Sequence, residues 1–213
     1  MRSGPFALVR RLGSAKAGPM RQFRMARVPY IPPEGVSPEL RHILTPPTNL
    51  KMAVANNPTA LDVFFSRIGK WLGTEAPLDS RLRELAIVQV AYATANAYEF
   101  SWHLRGALRV GATEQDIEAL MAETNGQTTA LPELDRAVLK AAREITLELT
   151  LADETWALLE RRLGRERLLE LVLAITYYNH VVRVAAVLKL DIDEHVKLPM
   201  ERYPPPARIG EWR

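Results

Sequence analysis

Apolar residues recur at intervals of three and four along almost the whole chain from residue 36, which is the spacing of one face of an α-helix. No stretch keeps the strict apolar and polar alternation of a half-buried strand. The pattern therefore predicts an all-α fold. A short helix should precede a break at Asn56-Asn57-Pro58, and a longer one should end at Gly73. The later helices should lie within residues 79–95, 97–111, 113–122, 133–150, 151–164 and 165–190.

Helix-start signals support several of these elements. Ser37 before Pro38 has the form of an N-cap followed by a proline at the first helical position. Thr113 with Asp116 three residues later is an acidic variant of the capping box. Both pairs mark a predicted helix start.

Two segments resemble each other. Residues 81–92 (RLRELAIVQVAY) and 167–178 (RLLELVLAITYY) are identical at five of twelve positions. The similarity fits two related helical units, although leucine-rich amphipathic helices also resemble each other by composition alone.

Composition bounds the class of protein. With 213 residues, 47% of them hydrophobic, the chain is long enough for one sizeable core and short for two. No apolar run approaches the roughly 20 residues that span a bilayer, so we expect a soluble cytoplasmic protein without a membrane partner. There is no cysteine, which excludes disulfides, thiolate metal ligands and thiol chemistry.

The positive charge is concentrated at the start of the chain. Residues 1–27 hold seven arginines and lysines and no acid, so the remainder is mildly acidic although the net charge is +3. Nucleic-acid binding is therefore not predicted for the folded part. We predict a disordered basic extension over 1–27, a single helical domain over 28–200 and a proline-rich tail over 201–213.

Candidate chemistry lies in residues 84–103, where Glu84, Asn96, Glu99 and His103 interrupt an apolar helical pattern. Asn96 and Glu99 have the spacing of a capping box, and Glu84 near a helix start could simply be solvated. However, His103 follows Glu99 by four residues and shares its helix face. A histidine beside carboxylates suits proton transfer near neutral pH.

Metal binding is the nearest alternative. Glu99 and His103 have the spacing of two ligands on one helix face, and Glu84 could supply a third oxygen. No second histidine is within reach by spacing and there is no HExxH motif, so we predict no metal. His180 is expected to be a core or interface residue.

The segment DSRLRELAIVQVAYATANAYEFSWHLRGALRVGATEQDIEAL, residues 79–120, resembles the core motif of the carboxymuconolactone decarboxylase and alkylhydroperoxidase D superfamily. With the later helices, the resemblance covers roughly residues 37–195. It implies an all-α alkylhydroperoxidase D-like bundle that assembles as an obligate homotrimer or homohexamer and needs no cofactor.

In the thiol branch of that superfamily, a glutamate and a histidine flank a CxxC pair. Laid on this sequence, the glutamate falls on Glu84, the cysteines on Asn96 and Glu99, and the histidine on His103. Both thiols are missing, which excludes a thiol peroxidase. The resemblance then implies the non-thiol branch, with acid/base work on a carboxylated lactone or related organic acid.

The catalytic residues implied are His103, Glu99 and Glu84, with substrate contacts from Asn96, Tyr98 and Tyr92. Arg105 or Arg183 could pair with a substrate carboxylate, although a surface role is favoured for Arg105. The alternative is a non-catalytic helical oligomer that binds a small ligand or a partner.

Overall fold

A computed structural model describes residues 26–213 of the chain, and within that range it is helical and has no strand. The predicted all-α fold is confirmed. The helices are α1 Asn49–Val54, α2 Pro58–Leu61, α3 Ser80–Ala93, α4 Ala97–Arg109, α5 Glu114–Thr124, α6 Glu133–Leu147, α7 Asp153–Leu163 and α8 Arg165–Leu188. Short 3₁₀ helices occupy Pro33–Gly35, Pro38–Leu44, Glu194–Val196 and Met200–Arg202.

Helix α3 is the centre of the fold and packs against α4, α6 and α8. Its apolar residues point in all directions, as expected of a helix surrounded by others. Leu82, Ala86 and Val90 face a core cluster shared with α6, α7 and α8. Leu85 and Tyr92 face a second cluster shared with α4 and α5. The start of α3 is thereby fixed beside α4, where the candidate chemistry lies.

The predicted caps are confirmed only in part. Thr113 and Asp116 form the reciprocal capping box. Pro38 begins a 3₁₀ helix, and Ser37 makes no capping bond because its hydroxyl contacts the Glu39 carboxylate instead. That prediction identified the start of the element but not its type.

The helix predicted to end at Gly73 is less regular than expected. After α2 the chain forms π-helical turns over Asp62–Ile68 and Trp71–Glu75. π-Helical turns are uncommon and occur often beside functional sites. Here Phe65 and Ser66 from the first of them, and Gly69 and Lys70 between the two, line a large cavity.

The proline-rich tail packs on the rest of the molecule. Tyr203 is buried, and Trp212 contacts the Tyr92 and Phe100 rings at centroid distances of 5.9 and 5.0 Å. Arg213 exchanges backbone hydrogen bonds with Ala95 and Ala97. The domain boundary at residue 200 stays a prediction, as does the extension over 1–27, which lies outside the described residues up to residue 25.

Helix α8 is long and apolar enough to cross a membrane by length and composition alone, with 33% of its most apolar window buried in the fold. Core helices of soluble proteins pass the same test, so a single such helix is weak evidence. No membrane protein is indicated.

Candidate active site

The predicted catalytic residues lie together at a cavity of about 660 Å³. That volume is in the range of small-molecule sites. Helices α3 and α4 form its base, α8 one wall, and the chain from residue 42 to 70 the opposite wall. The lining includes acidic, basic, aromatic and apolar side chains, among them Leu50, Lys51, Phe65, Glu84, Tyr98, Glu99, Trp102, His103, Gly106, Arg109, Tyr177, Tyr178 and Val181.

His103 is held between two carboxylates. Its Nδ1 lies 2.8 Å from Glu84 Oε2, across the contact of α3 with α4. Its Nε2 lies 3.4 Å from Glu99 Oε2, one turn back on α4. Since both ring nitrogens face carboxylate oxygens, both can act as donors, as they do in the imidazolium form.

These charges shift the proton affinities of the group. Burial by itself lowers the pKa of His103, but Glu84 and Glu99 outweigh burial and raise that pKa to about 10. Burial likewise raises the pKa of Glu84, but the attraction of His103 outweighs it and the pKa is lowered. At neutral pH the site therefore holds an imidazolium ion flanked by carboxylates.

Gly106 makes room for this contact. A Cβ atom at Gly106 would lie 2.7 Å from Glu84 Oε2 and 3.2 Å from Glu84 Cδ. A side chain there would push the carboxylate away from His103. Sequence reasoning missed Gly106, although a glycine inside a helical pattern costs about 1 kcal/mol and so indicates a packing reason.

Glu99 is used differently from the prediction. Asn96 caps α4, since its side-chain oxygen accepts the Glu99 backbone N–H at 2.9 Å. The Glu99 carboxylate does not complete the box, because the Asn96 backbone N–H bonds to Ala91. Within the described residues, Glu99 Oε1 is buried without a hydrogen-bond partner. A buried oxygen of this kind calls for a donor, and a bound ligand can supply one.

Aromatic side chains fix the walls. The Tyr178 ring meets the His103 ring edge-on, at a centroid distance of 4.6 Å. Tyr98 and Trp102 both donate to the buried Asp193 carboxylate, at 2.9 and 2.8 Å. Burial and the charges of Asp193 and Glu99 raise the pKa of Tyr98, so this hydroxyl stays protonated.

Part of the chain matches a known family. Residues 58–144 match the model of the carboxymuconolactone decarboxylase family. The match supports the resemblance to the carboxymuconolactone decarboxylase and alkylhydroperoxidase D superfamily that the sequence predicted.

A solved structure with a similar fold is that of an uncharacterized peroxidase-related protein from Silicibacter sp. TM1040. It is 17% identical to this chain, the match covers 69% of this chain and 77% of that one, and the TM-score is 0.60. At that identity the likeness concerns the fold alone. No curated protein shows significant sequence similarity to the chain.

Two of the predicted substrate contacts lie away from the cavity, which corrects the prediction. Tyr92 is fully buried in the core, where its hydroxyl donates to the Pro204 carbonyl oxygen at 3.1 Å. Asn96 is buried and donates to the Val182 carbonyl oxygen at 3.0 Å. Both residues face packed backbone and neither lines the cavity, whereas Tyr98 does.

The arginines considered for a substrate carboxylate also lie elsewhere. Arg105 donates to the backbone oxygens of Val196 and Lys197, and Arg183 donates to Asn179. The basic side chains that line the cavity include Lys51 and Arg109, which sequence reasoning missed. Lys51 comes from a distant segment that no spacing relates to His103, whereas Arg109 lies on the same helix as His103, at its last position.

Two further candidates from the sequence were His180 and a metal site. His180 stacks on Phe64 at a centroid distance of 4.9 Å and does not line the large cavity. Among residues 26–213, no group of three or more histidines and acids is arranged to hold a metal ion. Glu84, Glu99 and His103 form a group joined by the contacts of the His103 ring with the two carboxylates.

Proposed function

We propose that this chain is a cofactor-independent acid/base enzyme that acts on a small carboxylated lactone or related organic acid. The observation that supports the proposal is His103 held between Glu84 and Glu99 at the base of the large cavity. Positioned acids and bases of this kind contribute about 10²- to 10⁴-fold to a reaction rate.

His103 is the general acid of the proposed mechanism. Because its pKa is raised to about 10, the imidazolium persists at neutral pH and gives up its proton only to a strongly basic atom. A carbanion or dienolate formed as carbon dioxide leaves is such an atom. The carboxylate C–C bond breaks, its electron pair moves into the conjugated carbonyl system, and the His103 proton forms the new C–H bond.

The carboxylates act on His103 and on the substrate. Glu84 accepts from Nδ1, fixes the plane of the ring and stabilises its charge. Glu99 Oε1 is buried without a partner among the described residues. It can accept a proton from the bound substrate, or a hydrogen bond that a substrate hydroxyl donates. An acid and a base on one side of the cavity also suit isomerisation of an enol.

Thiol peroxidase chemistry has no residue to perform it, because the chain contains no cysteine. The peroxidase-related description belongs to the protein of similar fold. Glu99 instead places a carboxylate where the thiol branch has its second cysteine.

We also propose a homotrimer or homohexamer. Helix α8 and the segment before α7 expose large apolar side chains, which soluble monomers seldom group together. Leu149 is 82% exposed and Val187 60%, and Leu169 and Leu173 are also exposed. Light scattering coupled to size-exclusion chromatography tests the assembly, and a monomer at micromolar concentration would contradict it. The cytoplasmic location stays a prediction.

Activity profiling on carboxylated lactones and related aromatic-degradation intermediates tests the function. We expect turnover of at least one compound by wild type and a loss of at least 10²-fold in His103→Ala, with the helical circular dichroism signal retained. Full activity in His103→Ala would contradict the role given to His103. Tight binding without turnover would favour the non-catalytic alternative.

A further inference from the structure

A second, smaller cavity adjoins the large one. It has a volume of about 200 Å³ and shares four lining residues with the large cavity, namely Leu50, Phe65, Tyr177 and Val181. Its other lining residues are Val54, Ala60, Phe64, His180 and Val184. Because nearly all of these side chains are apolar or aromatic, this cavity suits a hydrocarbon group.

The large cavity has an excess of positive charge. Lys51 is half-buried, and within residues 26–213 its ammonium group has one hydrogen bond, to the Pro46 carbonyl oxygen at 3.3 Å, and no carboxylate partner. Desolvation lowers the pKa of Lys51.

The other cationic side chains of the cavity are Arg109, which is exposed at the same lining, and Lys70, which is paired with Glu75. With the His103 imidazolium, three cations then line the same cavity as the Glu84 and Glu99 carboxylates, so a bound anion would balance the charge.

Helix α1 places both features on one short element. Lys51 lines the large cavity, Val54 lines the small one, and Leu50 lines both. The Leu50 backbone N–H donates to the Tyr98 hydroxyl at 2.9 Å, which fixes α1 against α4. A charged contact and an apolar contact are therefore held at a set separation beside His103.

We propose that the two cavities together bind an amphiphilic carboxylate, whose carboxylate group pairs with Lys51 and whose hydrocarbon arm occupies the small cavity. This inference rests on the proposed function only in using the same cavity, and it narrows the substrate class from small organic acids to those with an apolar arm. Lys51 and Val184 are then specificity-determining residues. Their contacts act on binding, and the proton transfer stays with His103.

Titration calorimetry with straight-chain monocarboxylates of four to eight carbons, and with the matching primary amides, tests the inference. In wild type we expect affinity to rise about fourfold with each added methylene, the equivalent of burying one CH₂ group. Each carboxylate should bind at least tenfold more tightly than its amide. This series needs no variant, so misfolding cannot obscure it.

Two pairs of variants assign the contacts. Val184→Phe, which fills the small cavity, should abolish the gain with chain length, whereas the control Ala186→Phe, at an exposed position of the same helix outside both cavities, should keep it. Lys51→Met should remove the preference for carboxylate over amide. The control Lys197→Met, in an exposed ion pair with Glu194, should retain that preference.

Three results would overturn the inference. Wild type could bind none of the compounds, its affinity could be independent of chain length or of charge, or a variant and its control could have equal effects. These outcomes are separable from failure of the proposed function. Binding with both dependences but no turnover keeps the inference and removes the function. Turnover of a compact carboxylated lactone, unaffected by Lys51→Met and Val184→Phe, keeps the function and removes the inference.

Discussion

Glu84 and Glu170 occupy matching positions in the two similar segments, yet their surroundings differ. Glu84 on α3 contacts His103 and lines the large cavity. Glu170 on α8 is buried, and its Oε2 accepts the Leu78 backbone N–H at 2.8 Å. The same residue in the same local sequence contacts a histidine at the cavity in one segment and satisfies a loop backbone in the other.

The tyrosines that end the two segments have the opposite arrangement. Tyr92 on α3 is buried in the core, whereas Tyr178 on α8 meets His103 at the cavity wall. Of its matched glutamate and tyrosine, each segment therefore contributes one to the cavity and buries the other in the fold. Function follows from what each residue faces, which a pairwise match of segments does not reveal.

Glu84→Gln should have the largest effect of the changes that test this comparison. The amide keeps the shape but cannot hold the imidazolium by charge, so we expect turnover to fall about 10²-fold or more. The imidazole pKa, measured by NMR, should fall well below 10. Glu170→Gln is the matched control and should leave turnover within about twofold. Equal losses in both variants would remove the distinction between the two glutamates.

The pH dependence of stability should show the same ion pair. The pKa of His103 is raised in the folded state, so its contribution is complete below pH 6.5 and is lost as the pH rises through about 10. Linkage limits the loss to about 1.4 kcal/mol per pH unit, or about 2 to 3 kcal/mol between pH 7 and 9.

Urea unfolding of wild type and His103→Gln across that range isolates the effect, because other titrating groups cancel in the difference. We expect the advantage of wild type over His103→Gln to shrink as the pH rises. A constant difference from pH 7 to 9 would mean that His103 is neutral throughout. The Glu170 region has no histidine and should contribute nothing to this slope.

Local spacing accounts for what could be predicted of the fold and site. The helical periodicity of residues 79–190 identified the main helices, and the spacing of Glu99 and His103 placed them together. Glu84 was expected to join them from the preceding helix, and the family resemblance implied the same set. Within one helix, or between two consecutive helices, such patterns restrict the geometry closely.

The rest of the site could not be predicted, because it depends on contacts between distant segments. Lys51 and Tyr177 reach the cavity from α1 and α8, and no spacing relates them to His103. Tyr92 was misplaced for the same reason, since packing of the C-terminal tail decides that it faces Pro204. The π-helical turns after α2 are also a product of tertiary packing, because the apolar stripe there reads as an ordinary helix.

Glu170→Ala should destabilise the fold without a direct effect on the chemistry. The substitution leaves the buried Leu78 N–H without an acceptor, which costs about 1 to 3 kcal/mol. Urea unfolding should show this loss, and turnover per folded molecule should stay near wild type. Glu84→Ala is the counterpart and should affect turnover far more than Glu170→Ala does. A stable Glu170→Ala variant would show that the buried contact is not needed.

Gly106→Ala tests with the smallest change why Glu84 can reach His103. The new Cβ would overlap Glu84 Oε2, so the carboxylate must shift and its contact with Nδ1 must lengthen. Alanine is favoured over glycine inside a helix by about 1 kcal/mol, which offsets part of the strain. We therefore expect a free energy of unfolding within about 1 kcal/mol of wild type, a turnover loss of about tenfold, and a lower His103 pKa by NMR.

Arg105→Ala, on the same helix but outside the cavity, is the control and should change neither turnover nor the His103 pKa. A normal His103 pKa in Gly106→Ala would show that Glu84 accommodates the methyl group, and that the glycine has no part in separating the role of Glu84 from that of Glu170.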